Sequence, residues 1–208
     1  EKKVKKHTIF VIEISSYQIE YSKYFKSNFA AILNISPDHL ERHKTFDKYV
    51  KTKFKLIRNQ TDKDYAFLDL NNKIIKKEYK QTSFKTNIIN VNPHSTKKFI
   101  KYIKNPYFIS DGNIQNLSFI FALSRKIGLN KKILFKVINN FKNLKYRQEL
   151  VYKSKNFSII NDSKSTSFAS SINILKSLKK VYWIVGGIPK KGDHFTLSKK
   201  KCLNIKTY

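Results

Sequence analysis

Four clusters of polar side chains stand just after short apolar runs in this 208-residue chain. Glu13 sits at the end of the run Thr8 to Ile14, with Ser15 and Ser16 just beyond. Asp38, His39, Glu41, Arg42 and His43 follow Phe29 to Ile35, and Asn161, Asp162, Ser163, Lys164 and Thr166 follow Phe157 to Ile160. Gly186, Gly187, Lys190, Lys191 and Asp193 follow Val181 to Val185. In open parallel sheets ligands gather at the carboxyl ends of strands, so these clusters are the places where chemistry is expected. Carboxylate and imidazole groups converging there can hold a divalent cation, and hard Mg²⁺ prefers oxygen ligands with substrate phosphates completing its shell. Each residue also has a plainer reading. A lone Glu at a strand end can be a solvated or capping carboxylate, a lone His need not be a ligand, and a Gly-Gly turn with lysines can be a simple connection.

The elements that must position these clusters are legible as periodicity. Thr8 to Ile14 and Phe29 to Ile35 read as buried parallel strands, being nearly continuous apolar runs. Residues 16–21 read as a short helix, and Phe46, Tyr49, Val50, Phe54 and Ile57 fall at helical spacing over 46–57. A strand over 65–68, a weaker helix over 73–79 and strand-like pieces at 87–91 and 99–103 follow. A helix over 113–127 carries Leu117, Ile120, Phe121 and Ser124 on one face and stops at Gly128, and Asn130 caps another that runs to Phe141. After a break at 144–149 come paired strands 150–153 and 157–160, a helix over 167–178 and a buried strand over 181–185. Strands alternating with helices predict an α/β fold: a mostly parallel sheet with flanking helices over 1–147, then the start of a second, Rossmann-like α/β domain over 148–208.

Composition narrows the class. Hydrophobic residues make up 40% and aromatics 14%, enough for a sizeable core. No apolar run reaches membrane-spanning length and no secretory signal is visible. The single cysteine, Cys202, excludes an internal disulfide and suits a reducing compartment, so a cytoplasmic protein is expected; it is also expected to be monomeric. The formal charge of +29 admits two readings. Clustered cations would bind a nucleic-acid backbone by releasing its counterions, whereas a chain-wide drift toward Lys, Asn and Ile would spread them over solvated faces. Lysines occur in every segment, which favours drift. The aromatics mostly fall at positions that read as buried, so a nucleic-acid module, which needs exposed rings for stacking, ranks below an enzyme.

Six strings then point one way. Residues 13–20 (E-I-S-S-Y-Q-I-E) resemble the E-L-S-S-F-Q-L-E pattern of the D-glutamate-adding branch of the Mur ligase family, and residues 30–43 resemble its next strand with D-H-x-D-R-H. Tyr49 to Lys53 matches Y-x-x-A-K, and residues 111–116 resemble G-x-H-N-x-x-N. Residues 146–149 resemble H-R-x-E, and residues 161–166 match N-D-S-K-A-T, the most discriminating of the set. Order and approximate spacing agree over essentially the whole chain.

The resemblance implies an ATP-dependent ligase that adds D-glutamate to UDP-N-acetylmuramoyl-L-alanine through an acyl phosphate, in peptidoglycan precursor synthesis, with ATP and two Mg²⁺ ions. By the same carry-over Glu13 ligates one Mg²⁺, His39 ligates the second, and Lys53 is the lysine that the family carbamylates. A neutral amine is required for that, so burial that depresses its pKa would help; the plain alternative is a helix-face lysine. Asn113 and Asn116 correspond to adenine contacts, although capping is an alternative for both. Arg147 corresponds to an arginine near the phosphates and Asp162 to the ribose carboxylate. Lys164, Thr166 and Lys190 line the reacting centre and incoming amino acid, and Ser15 and Gln18 line the muramoyl substrate.

Departures are the Gly112 and Tyr146 that replace family histidines. No G-x-x-x-x-G-K-[ST] phosphate loop occurs in the sequence. The chain is therefore expected to be truncated at both ends, and inactive or nearly so by itself. A sister ligase adding another amino acid is the nearest alternative, and the N-D-S-K string argues against it.

Overall fold

A computed structural model describes residues 8–188, 193–198 and 202–207. The chain forms two compact units, one ending at Asn90 and the other beginning at Val91.

In the first unit, Ser15 opens α1 (Ser16–Tyr21), and β1 (Phe29–Ile32) leads through α2 (Leu40–His43) into α3 (Phe46–Arg58). Then come β2 (Tyr65–Leu68), α4 (Lys73–Gln81) and β3 (Asn87–Asn90). The three strands form a parallel sheet in the order β1-β2-β3, with Phe29 opposite Tyr65 and Tyr65 opposite Asn87. Ala66, Phe67 and Leu68 are all buried, as a central strand covered on both faces requires. The apolar face of α3 (Tyr49, Val50, Phe54, Ile57) packs with Ala30, Ile32, Ala66, Leu68 and Ile75 into one core. Thr45 caps α3 by accepting from the Lys48 N–H at 3.2 Å, and Asn72 caps α4 through the Ile74 and Ile75 N–H groups.

In the second unit, two 3₁₀ turns (Lys97–Tyr102 and Pro106–Ile109) precede α5 (Asp111–Lys126) and α6 (Lys131–Asn139). The antiparallel pair β4 (Glu149–Lys153) and β5 (Ser158–Asn161) follows, then α7 (Phe168–Ser177), β6 (Val181–Trp183) and β7 (Ile205–Thr207), the last two paired in parallel. Leu117, Leu134 and Ile138 form the core between α5 and α6. Gly128 ends α5 in the left-handed region (φ 74°), as its placement predicts.

Several expectations need correction. Residues 8–14 are not a buried strand: Val11 is 94% exposed and Ile9 74%. An apolar run is held in a sheet only by a ladder partner and a cover on each face, and among the described residues this one has no strand pairing. The piece at 99–103 is helical instead of extended, because Phe99 N–H bonds Thr96 C=O and Ile103 N–H bonds Ile100 C=O, the i→i+3 pattern of a 3₁₀ turn. On α5, Ile120 is exposed and Phe119 takes its place in the interior. The aromatics are not mostly buried either, since Tyr21, Tyr24 and Tyr182 are each at least 70% exposed. No helix among the described residues is long and apolar enough to cross a membrane.

Candidate functional site

In the first unit a cavity of about 380 Å³ gathers the predicted residues of the amino-terminal strings: Glu13, Ser15, Gln18, His39 and Lys53, together with Asp38 and Tyr49. Three local structures build it. Ser15 and Gln18 form a capping box: the Ser15 N–H donates to Gln18 Oε1 at 2.8 Å and the Gln18 N–H to Ser15 Oγ at 3.3 Å. That arrangement fixes the entry of α1 and leaves both side chains on the cavity wall. Glu13 lies two residues upstream, exposed.

His39 sits in the left-handed region (φ 54°, ψ 34°), uncommon for a residue other than glycine. Its N–H donates to Asp38 Oδ1 at 2.9 Å, and its ring is held on three sides. Nδ1 lies 3.3 Å from the Tyr17 hydroxyl and 3.5 Å from Glu41 Oε1, and Nε2 lies 3.4 Å from Asp38 Oδ2. Tyr17 also meets the imidazole edge-on at 4.9 Å between centroids. Beside it, His43 is buried with Nε2 3.0 Å from Ser16 Oγ, which ties α2 to α1.

Lys53 comes from α3, with Nζ 5.7 Å from the Tyr49 ring centroid. Burial pushes its ammonium pKa below the ordinary lysine value, and the charges of Asp38 and Glu13 pull the other way without cancelling it. The same burial, helped by Asp38, raises the Tyr49 hydroxyl. The cavity therefore combines two carboxylates, an imidazole and a lysine amine made less basic by burial. Oxygen donors of this kind suit Mg²⁺, which is commonly held by one or two carboxylates plus phosphates and water. No cluster of three or more His, Cys, Asp or Glu that could hold a metal occurs among the described residues.

The carboxyl-terminal candidates lie in the second unit. Asn113, buried on α5, spends both amide hydrogens within the protein, donating to Tyr107 C=O at 2.7 Å and Gln148 Oε1 at 2.9 Å. Asn116 lies one turn on, half-buried. Arg147 is exposed, between Tyr146 (φ 66°) and Gln148 (φ 49°), both left-handed. This turn is bonded to the loop after β5: the Gln148 N–H donates to Asp162 Oδ1 at 3.0 Å and the Lys164 N–H to Tyr146 C=O at 2.9 Å. Asp162 Oδ2 accepts from the Ser165 hydroxyl at 2.7 Å. Burial raises the Tyr107 hydroxyl pKa, with Arg147 opposing and Asp162 reinforcing the shift, so all three share one electrostatic neighbourhood. Lys164 and Thr166 are exposed. Lys190 lies outside the described residues.

Two residues emerge that sequence reasoning passed over. Tyr17 stands where the resembled pattern has Phe, and its added hydroxyl reaches His39 and Glu41. Gln148 occupies the free position of H-R-x-E, and its side chain bonds Asn113 and Ser110 while its backbone bonds Asp162. A pattern position that tolerates any residue carries no signal in one sequence.

Comparison with known proteins follows the same line. Residues 1–120 match the Mur ligase middle domain. The UDP-N-acetylmuramoylalanine–D-glutamate ligase of Rickettsia prowazekii is 30% identical over 200 residues, 88% of this chain and 45% of that protein. Its namesake in Elusimicrobium minutum is 32% identical over 221 residues (97% and 49%), and that of Prochlorococcus marinus 34% over 209 (94% and 45%). The chain spans about half the length of these curated relatives. Among solved structures, MurF ligase from Thermotoga maritima in complex with ADP superposes with a TM-score of 0.53 at 16% identity, over 76% of this chain and 41% of that one. MurF from Acinetobacter baumannii gives 0.55 at 17%, over 79% and 40%. At such identities the structures speak for the fold alone, but the match to the middle domain covers more than half of the residues, and the chain belongs to the Mur ligase family.

Proposed function

We propose that this chain is the nucleotide-binding and reacting-centre portion of a cytoplasmic, monomeric ligase that uses ATP to add D-glutamate to UDP-N-acetylmuramoyl-L-alanine. Residues 1–147 would form the central ATP-binding domain, and residues 148–208 the beginning of the amino-acid-binding domain. The observation that carries the reading is the cavity in which Glu13, Asp38 and His39 surround a Lys53 amine made less basic by burial. Those residues fit the expected cofactors. Glu13 would hold one Mg²⁺, and His39 with a carbamylated Lys53 would hold a second. Bound Mg²⁺ supplies neutralisation of phosphate charge, which dominates catalysis of phosphoryl transfer.

The protein's own groups have distinct tasks. Lys53, made less basic by burial, gives up its ammonium proton, and the free amine then adds to CO₂ with loss of a second proton, so that a cation becomes an anionic carbamate. Asn113, with both amide hydrogens engaged, presents Oδ1 as the acceptor suited to the adenine amino group. Asn116 would pair alongside it. Asp162, anchored by Gln148 and Ser165, would accept from the ribose hydroxyls, and Arg147 would face the phosphates. The substrate carboxylate attacks the γ-phosphoryl group, ADP leaves, and an acyl phosphate results. The D-glutamate amine then attacks the acyl carbon, and phosphate departs from a tetrahedral intermediate. Lys164, Thr166 and Lys190 would hold the two carboxylates of D-glutamate, where a lysine serves as a point charge. Ser15 and Gln18 would line the muramoyl substrate.

The test is to incubate the complete protein with ATP, Mg²⁺, UDP-N-acetylmuramoyl-L-alanine and one amino acid at a time, and to weigh the product. A mass gain of one glutamate residue with D-glutamate, and none with L-lysine or meso-diaminopimelate, is expected. A product with one of the latter instead would assign a sister ligase.

A further inference from the structure

On the other side of α3 lies a second cavity, of about 320 Å³, that shares no lining residue with the reacting-centre cavity. Six of its nine lining residues are Lys or Arg (Arg42, Lys44, Lys48, Lys51, Lys55 and Arg58). The whole chain has 43 in 208, so this concentration exceeds the chain-wide drift. The reacting-centre cavity, by contrast, carries one lysine and two carboxylates.

Helical geometry explains the stripe. At 100° per residue, Lys48, Lys51, Lys55 and Arg58 fall within about 80° of one another, opposite the apolar face that meets the sheet. Two of the six cations are neutralised: Arg42 pairs with Glu20 at 3.1 Å, and Lys51 with Asp47 at 2.7 Å. Lys48, Lys55 and Arg58 have no carboxylate within 4 Å among the described residues. Arg58 lies close enough to oppose the charge of Lys51, but Asp47 and Glu78 outweigh it, so the unrelieved cations are Lys48, Lys55 and Arg58. Like charges spaced three and four apart on a helix destabilise it, so a row of them in a concavity is relieved by an anion. Lys48 and Arg58 stand about 15 Å apart along the axis at a rise of 1.5 Å per residue. A linear, multiply charged anion matches this spacing better than a single phosphate.

We propose that this groove between α2 and α3 binds an oligophosphate chain, either free or as the tail of a nucleotide. The one ring on its wall is the buried His43, already 3.0 Å from Ser16 Oγ, and the neighbouring Tyr21 ring is engaged by Arg42 at 5.2 Å, so the cations, and not a stacked base, define the ligand. Concavity equally disfavours a flat lipid surface. The proposal is independent of the ligase reading.

The experiment is calorimetry of inorganic tripolyphosphate binding to the complete protein without Mg²⁺, the groove's share being the part of the binding that groove variants lose. Lys48→Gln/Lys55→Gln should weaken binding at least tenfold, and Lys48→Arg/Lys55→Arg should restore it to within about threefold. Lys153→Gln/Lys155→Gln, which removes the same charge from the exposed β4–β5 hairpin, should change it less than twofold. Orthophosphate should bind at least tenfold more weakly than tripolyphosphate. ATP should match tripolyphosphate if only phosphates are read. Equal losses in the groove and hairpin variants would show diffuse polyelectrolyte attraction and overturn the proposal. An unchanged affinity in the groove variant, or an uncharged-base contribution exceeding tenfold in ATP over tripolyphosphate, would overturn it too.

Discussion

Asp162 and Asp64 are held in different ways. Asp162 has one oxygen on the Gln148 N–H and the other on the Ser165 hydroxyl, and is half-buried at the end of β5 with room to accept from a ligand. In the complete protein Asp162→Ala should raise KM for ATP by roughly ten- to a hundredfold, a ribose hydrogen bond to a charged group contributing roughly 1.5–3 kcal/mol; an unchanged KM would remove it from the nucleotide site. Asp64 is buried and structural. The Thr61 N–H bonds it at 2.7 Å, the Thr61 hydroxyl at 2.9 Å and the Lys26 ammonium at 2.9 Å, and these hold its pKa down to about 2, against 3.8 for a free carboxyl. A carboxyl whose pKa is lowered on folding contributes stability that is fully present above its unfolded value and is lost as pH falls through the folded one. Asp64→Asn should therefore cost about 1–3 kcal/mol at pH 7, and the gap to wild type should close between pH 4 and 2 in denaturant titrations. A gap of constant size down to pH 2 would contradict the assignment. The Asp162 string was readable from sequence because its neighbours form a pattern. The Asp64 network was not, since its Lys26 partner lies far away in sequence across β1 and α3.

Element by element, legibility tracks how local the determining physics is. The strand at Tyr65–Leu68 and the helix at Ser16–Tyr21 stand where their residues place them, and Asn130 caps α6 through the Lys132 N–H at 2.8 Å. Each is decided within one or two turns of chain. Residues 99–103 carry apolar side chains that suit a strand equally well, and are decided by distant partners: Thr96 Oγ1 contacts Ser118 Oγ at 3.1 Å, and Phe99 stacks on Phe121 at 5.0 Å. β7 was missed because three residues with Lys206 in the middle carry no alternation of their own. The end of α5 offers a clean test. Gly128 is left-handed with open space where a Cβ would go, so Gly128→Ala changes backbone strain and nothing else. It should lower unfolding stability by about 1 kcal/mol, read as a shift in denaturant midpoint with the slope unchanged. No shift would mean that the turn relaxes out of the left-handed region.

At the scale of the whole molecule, the candidate residues fall in two compact units: the Glu13–His39–Lys53 cavity before Asn90, and the Asn113–Arg147–Asp162 network after Val91. Sequence strings proposed both sets, because side-chain types in a fixed order are what a sequence displays. What they left out is the packing that tunes it, namely the burial of Lys53 against Tyr49, the left-handed His39 held by Tyr17, and the Gln148 clasp on Asn113. A charge of +29 obscured the rest, since a basic groove on α3 cannot be told from scattered lysines until the helix is placed against its sheet. The central claim is that the Lys53 cavity is the reacting centre of a D-glutamate ligase. Phosphate release by the complete protein, given ATP, Mg²⁺ and UDP-N-acetylmuramoyl-L-alanine with and without D-glutamate, tests it most directly when wild type is set beside Lys53→Ala. Release that requires D-glutamate in wild type and falls at least a hundredfold in Lys53→Ala, about 2.7 kcal/mol of transition-state stabilisation, is the predicted result. Near-normal, D-glutamate-dependent release by Lys53→Ala, at a rate indifferent to added bicarbonate, would contradict it.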